Sequence, residues 1–186
     1  MSVISKKICL LGDIAVGKTS LIRRYVEREF KKQYFSTIGG KISRKTMVLG
    51  GVNQYKSLNL QLLIWDLESN MKFTELASGY LQGASGAIIV ADVLRQGTIE
   101  RLIEYVYLFL AINPKGFVMI ALNKTDLLPK EQLDIIISYI ESKKLPRVIG
   151  VYETSAKDGI NVDKVFNSLA YQIINAENKS LVTSAR

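Results

Sequence analysis

The chain of 186 residues has no histidine and one cysteine, Cys9. Without histidine, imidazole-based acid–base catalysis and histidine metal sites are excluded. A lone cysteine cannot close an internal disulfide. Its place in an apolar run makes it a packing residue and suits a reducing, cytoplasmic setting. No apolar run approaches the ~20 residues of a membrane span, and Met1–Lys7 lacks the hydrophobic core of a signal peptide. Internal repeats, low-complexity runs and interdomain linkers are also missing. One domain over residues 1–178 is therefore expected, followed by a flexible tail over 179–186. Acidic residues are scarce in the first third. Residues 1–60 hold three Asp/Glu against twelve Lys/Arg, so this part carries more positive charge than the whole chain, whose net charge is +8. The basic residues are scattered, with no aromatic stacking repeat. That pattern speaks against nucleic acid and for an acidic protein or a weak contact with an anionic membrane.

The most specific feature present is Gly12-Asp13-Ile14-Ala15-Val16-Gly17-Lys18-Thr19, followed by Ser20. It fits the phosphate-loop pattern of glycine, four residues, glycine-lysine and a hydroxyl residue. Glycines let successive N–H groups curl inward around a phosphate. The lysine ammonium reaches the terminal phosphates and the Thr19 hydroxyl can ligand Mg²⁺. An apolar run, Lys7–Leu11, precedes the motif, and a helical pattern with Leu21, Ile22, Tyr25 and Val26 on one face follows it. The helix start adds the positive end of its dipole. The alternative is an ordinary strand-to-helix turn.

Strand-like runs at 7–11, 61–65, 86–91, 116–122 and 147–152, with a further strand expected at 41–48, alternate with helical patterns near 18–28, 71–82, 98–112, 130–143 and 160–176. Segments 41–48 and 58–65 read as a hairpin across Gly50-Gly51. This order predicts an α/β fold of the P-loop NTPase type: a mostly parallel six-stranded sheet with one antiparallel edge strand and helices on both faces. Right-handed crossovers put the carboxyl-end loops of the strands on one side, where ligands bind.

Asn123-Lys124-Thr125-Asp126, then Leu127, follows one of these strands. A carboxylate there can accept two parallel hydrogen bonds from guanine N1–H and its 2-amino group; adenine presents the opposite donor pattern. The Lys124 stem can cover a ring face. By itself the motif is also a common loop or helix N-cap signal. Glu153-Thr154-Ser155-Ala156-Lys157 follows the last strand. There an Ala156 N–H can meet guanine O6 with Ser155 bracing the loop; the alternative is a turn leading into a helix.

With these motifs in order, the chain resembles the Ras superfamily of small GTPases, and within it the Rab branch, over residues 5–176. The resemblance implies that Phe30 stacks against the base and that Tyr34 and Thr37 lie in the first switch loop. It gives Thr37 as a Mg²⁺ ligand in the GTP state and Asp66 as a Mg²⁺ holder through water. Phe73 and Gly79–Ala84 match the helix of the second switch. The implied ligands are GTP or GDP with Mg²⁺. The implied partners are exchange factor and effector proteins, meeting the 30–48 and 66–82 surfaces of a monomer.

The second switch departs from the family pattern. Ser69 stands at a glycine position whose N–H meets the γ-phosphate, and Asn70 replaces the water-orienting glutamine. The asparagine amide falls short by roughly 1 Å, an error to which positional catalysis is sensitive. Ile14 is bulky where many relatives are small, and it can crowd the attacking water or a partner's arginine. Ile42 replaces a usual phenylalanine after the first switch, and the following hairpin looks longer. No cysteine near the end offers a prenylation site. Lys18 and a doubtful water-positioning Asn70 are the catalytic candidates. The expected function is a guanine-nucleotide switch with slow GTP hydrolysis. The alternatives are a non-hydrolysing nucleotide-bound scaffold and a nucleotide kinase, which lacks support because no arginine-rich lid is present.

Overall fold

A computed structural model describes residues 3–30, 40–50, 57–67 and 79–184, with side chains through residue 177. Six strands form one sheet: β1 (Val3–Leu11), β2 (Gly40–Gly50), β3 (Ser57–Leu67), β4 (Gly86–Asp92), β5 (Phe117–Asn123) and β6 (Val148–Thr154). Their spatial order is β2-β3-β1-β4-β5-β6. Only β2 runs antiparallel, pairing with β3 in a register that sets Ile42 opposite Trp65 and Gly50 opposite Ser57. The α/β fold expected from the sequence, with its single antiparallel edge strand, is the observed one.

Alternation along the central strands feeds two cores. Ile88 and Val90 of β4 and Met119 and Ala121 of β5 face one layer, shared with Leu21, Ile22 and Tyr25 of α1 (Lys18–Glu27) and Phe166, Leu169 and Ile173 of α5 (Val162–Ser184). Ala87, Ile89, Val118, Ile120 and Leu122 face the other, with Tyr105, Val106 and Phe109 of α3 (Leu102–Ile112) and Leu133 and Ile140 of α4 (Lys130–Ser142). Strands buried on both faces lose the polar alternation of a half-exposed sheet, which is why β4 reads as a continuous apolar run. Tyr25 stacks on Phe166 at 4.2 Å between ring centroids, locking α1 to α5.

Three boundaries differ from the sequence expectation. The helix expected over 98–112 is two helices, α2 (Gln96–Glu100) and α3, divided at Arg101. The short α2 is fixed by Thr98, whose hydroxyl bonds both the N–H and the carbonyl of Asp92. The first strand begins at Val3 because it pairs with β3 from Val3↔Asn59 onward, although Ser5-Lys6-Lys7 interrupts its apolar run and its first residues are exposed. The final helix, expected to end near residue 176, runs Val162–Ser184. Nothing in that segment is a strong helix breaker, having neither glycine nor proline. The expected 71–82 helix lies largely outside the described residues. Among the described residues no helix is long and apolar enough to cross a membrane.

Candidate functional site

Every parallel strand delivers a site element from its carboxyl end. After β1 comes the 12–17 loop; β3 ends at Asp66-Leu67, β4 at Asp92, β5 at Asn123 and β6 at Thr154. The strand order changes direction around β1, which has β3 on one side and β4 on the other, and such a switch point opens a crevice.

The 12–17 loop is held open by two glycines. Gly12 has φ +138°, and a Cβ there would lie 2.2 Å from the Val90 carbonyl oxygen; Gly17 has φ +103°, and its Cβ would lie 2.2 Å from Asn123 Nδ2. Ala15 also takes a left-handed φ of 59°. Gly17 then opens α1, whose first turn has neither a capping side chain nor an acidic residue. The positive end of its dipole, with no carboxylate beside it, favours an anion at this end of the helix.

Lys18 is 7% exposed and donates to the carbonyls of Gly12 at 2.7 Å and Asp13 at 3.0 Å. Burial lowers its pKa to about 8, opposed by the nearby Asp66 and Asp13 carboxylates and reinforced by Arg95. The Asp13 side chain turns toward α2 and α3, where Tyr105 donates to Oδ1 at 3.1 Å and Arg101 pairs with Oδ2 at 2.5 Å. Its negative charge is thus matched inside the protein. Burial and the adjacent Asp13 carboxylate push the Tyr105 hydroxyl pKa up. The Thr19 hydroxyl donates to Asp66 Oδ2 at 2.5 Å, and Asp66 is 2% exposed. A hydroxyl and a buried carboxylate in contact form a hard oxygen pair that fits Mg²⁺.

At the other end, Asp126 is held by Ser155, which donates to Oδ1 at 2.8 Å, and by Lys157, which donates to Oδ2 at 3.3 Å. Burial pulls the Asp126 pKa up, but the Ser155 and Lys157 hydrogen bonds outweigh it and the net shift is downward. Asn123 ties the two ends together. Its Nδ2 donates to the Val16 carbonyl at 2.9 Å, and its Oδ1 accepts from Ala156 N–H at 3.2 Å and the Thr154 hydroxyl at 3.3 Å. The Ala156 N–H, expected at guanine O6, donates to Asn123 Oδ1 in this arrangement, which fixes the 155–157 loop against β5. Asn123 itself faces the protein. Lys124 adopts a left-handed φ of 70° and sends its ammonium 2.7 Å from Asp92 Oδ2, leaving the stem free to cover a ring.

Phe30 packs partly against the α1–α5 core, with the Arg24 guanidinium 6.0 Å from its ring. Arg24 also donates from Nε to the Ala156 carbonyl at 2.8 Å and from its other nitrogen to the Lys157 carbonyl. Phe30, α1 and the 155–157 loop therefore meet. Ile14 and Leu127 are exposed on the rim, and Ser20 lies half-buried in α1. Tyr34, Thr37, Ser69, Asn70 and Phe73 lie outside the described residues. Arg24, Asp92, Arg95, Arg101 and Tyr105 belong to no motif and escape sequence reading. Asp92 alone left a trace, a carboxylate closing an apolar strand.

The sequence profile of the Ras family matches residues 7–175. The chain is 34% identical to the rat Ras-related protein Rab-31 over 93% of its own length and 85% of the relative's. It is 34% identical to the golden hamster Ras-related protein Rab-13 over 90% and 79%. It is 30% identical to the Arabidopsis Ras-related protein RABA4a over 96% and 76%. With a phosphate loop after β1, a paired Thr19 and Asp66, and a braced Asp126 at the end of the same sheet, the chain belongs to the Ras superfamily of small GTPases, in its Rab branch.

Proposed function

We propose that this chain is a switch of the Rab type whose nucleotide pocket is sound and whose hydrolytic step is impaired. The observation that carries the first half is the single connected site, from the 12–17 loop through Asn123 to Asp126. Amides of the 12–17 loop and of the α1 N-terminus receive the phosphates, and Lys18 turns its ammonium from the loop carbonyls to the terminal phosphate oxygens. Asp126 accepts from N1–H and the 2-amino group of guanine. Thr19 and Asp66 hold Mg²⁺, which when bound neutralises charge on the terminal phosphates. Thr37 completes that set, and the γ-phosphate orders the 30–48 and 66–82 segments for effectors, with exchange factors acting on the same surfaces.

The second half rests on sequence. Ser69 and Asn70 replace the glycine and glutamine of the family pattern. In a single turnover, GTP bound to the wild-type chain should persist well beyond its lifetime on intact relatives. The Ser69→Gly, Asn70→Gln double variant should hydrolyse it about tenfold faster. A wild-type rate equal to that of relatives with an unaltered switch would refute the impairment. The same residues support the second reading, a scaffold kept in one nucleotide state. Chromatography of the nucleotide released by denaturing protein stored for increasing times distinguishes the two: a constant GTP content marks the scaffold.

Lys18 adds a protonation signature. Its pKa of about 8 means it is an ammonium below that value and loses its proton above it. Polyphosphate stabilises the ammonium and raises this pKa, so affinity is fully present below pH 8 and falls as pH rises beyond it. GDP affinity should drop about tenfold from pH 7 to pH 9, with about half a proton taken up per GDP bound at pH 8. Calorimetry in buffers of different ionisation enthalpy measures that uptake; none at pH 8 would contradict the assignment.

A further inference from the structure

Besides the inner tie through Asn123, the two ends of the site are joined by an outer one that no motif contains. Arg95, between β4 and α2, donates from its terminal nitrogen to the Ile14 carbonyl at 2.7 Å and from Nε to Asp92 Oδ2 at 3.0 Å. Lys124 donates to the same carboxylate oxygen at 2.7 Å. A continuous strap thus runs from the rim of the phosphate loop, through Arg95 and Asp92, to the lysine beside Asp126. Its anchor is rigid. Asp92 is 3% exposed, its Oδ1 accepts from Leu94 N–H at 3.1 Å, and Thr98 bonds its backbone on both sides. The guanidinium suits the span because its nitrogens sit in a fixed planar fork and can serve two acceptors at once. It also lies within electrostatic reach of Lys18, adding to the shift of that ammonium.

We propose that Arg95 is a positioning residue that retards nucleotide release. The reasoning rests on the proposed reading that a guanine nucleotide lies with its phosphates in the 12–17 loop and its base beside Asp126. Escape then requires the two loops to loosen relative to each other, and the strap opposes that movement. Because the strap joins protein to protein, it slows diphosphate and triphosphate release by similar factors.

The test is displacement of a fluorescent GDP analogue, and of a fluorescent non-hydrolysable GTP analogue, by excess unlabelled GDP. Arg95→Ala should release both about five- to tenfold faster, the worth of one charge-assisted bond on a partly exposed side chain. Arg95→Lys should be no slower than Arg95→Ala, since one ammonium on a flexible stem cannot reproduce the fork. On an Asp92→Asn background, Arg95→Ala should add less than twofold. Unchanged release in Arg95→Ala overturns the inference. So does rescue by lysine or a selective effect on the triphosphate, both of which indicate charge alone, and so does full additivity with Asp92→Asn. A wild-type chain that fails to load either analogue refutes the underlying nucleotide reading instead, so the two failures are separable.

Discussion

Replacing Asp126 with alanine should lower GDP affinity roughly 10³-fold, the worth of two hydrogen bonds to an ionised acceptor in a partly desolvated site. The loss should be specific to guanine, because the adenine edge never engages the carboxylate productively. The purine preference should therefore collapse while the weak adenine affinity barely moves. Asp126→Asn offers a sharper version. An amide presents one acceptor and one donor where the carboxylate presents two acceptors, so it fits the N1–H and 2-oxo edge of xanthine. Xanthosine diphosphate should then bind the variant better than GDP does. The carboxylate is already held in place by Ser155 at 2.8 Å and Lys157 at 3.3 Å, and these bonds keep its pKa below the ordinary carboxylate value. Guanine selection should accordingly survive acidification to the normal carboxylate range and fail only below it. Competition binding with the three diphosphates decides the matter. An unaltered guanine preference in Asp126→Ala would remove the base site from its assigned place.

The legible part of this protein is the part in which chemistry requires adjacent residues. Gly12–Thr19 must be contiguous because one loop closes around a phosphate, and Asn123–Asp126 must follow a strand to reach the same crevice. Periodicity located the central strands for a related reason: buried strands are unbroken apolar runs, whereas the first half of β1 and most of β2 are exposed or half-buried and carry a weaker mark. What stayed hidden is what binds the motifs to one another. Arg24, Arg95, Arg101 and Tyr105 come from helices or their ends, where an arginine or tyrosine in the sequence is indistinguishable from a solvated surface residue. Their partners are mostly backbone carbonyls or single carboxylates tens of residues away, and no local spacing encodes such a pairing. The division at Arg101 was hidden likewise, since it depends on Thr98 folding back onto Asp92 rather than on a helix-breaking residue. Ala156 shows the reverse case. Its motif correctly marked the loop after β6, yet the direction of its N–H is set by Asn123, on a different strand.

That dependence on Asn123 leads to the second large effect. Asn123 is 2% exposed, and its amide bonds groups on both sides: the Val16 carbonyl in the phosphate loop, and the Ala156 N–H and Thr154 hydroxyl beyond β6. Asn123→Ala would strand two buried backbone groups, at about 1–3 kcal/mol each, and open a void beneath Gly17. Stability should fall by about 3 kcal/mol, or about 10 °C in melting temperature for a chain of this size. The effect on nucleotide release should be larger still, roughly 10²-fold faster, because the loops at both ends of the nucleotide lose their common support at once. Asn123→Asp separates support from size. It keeps the volume and the Oδ1 acceptor but sets a carboxylate oxygen against the Val16 carbonyl, where the amide donated at 2.9 Å. Repulsion replaces attraction, so this near-isosteric change should release nucleotide at least as fast as the alanine variant. Melting curves and displacement kinetics on the two variants provide the check. If Asn123→Asp retained nucleotide as well as the wild type, the coupling of phosphate and base loops through this one amide would be wrong. Guanine binding would then have to depend on each loop separately.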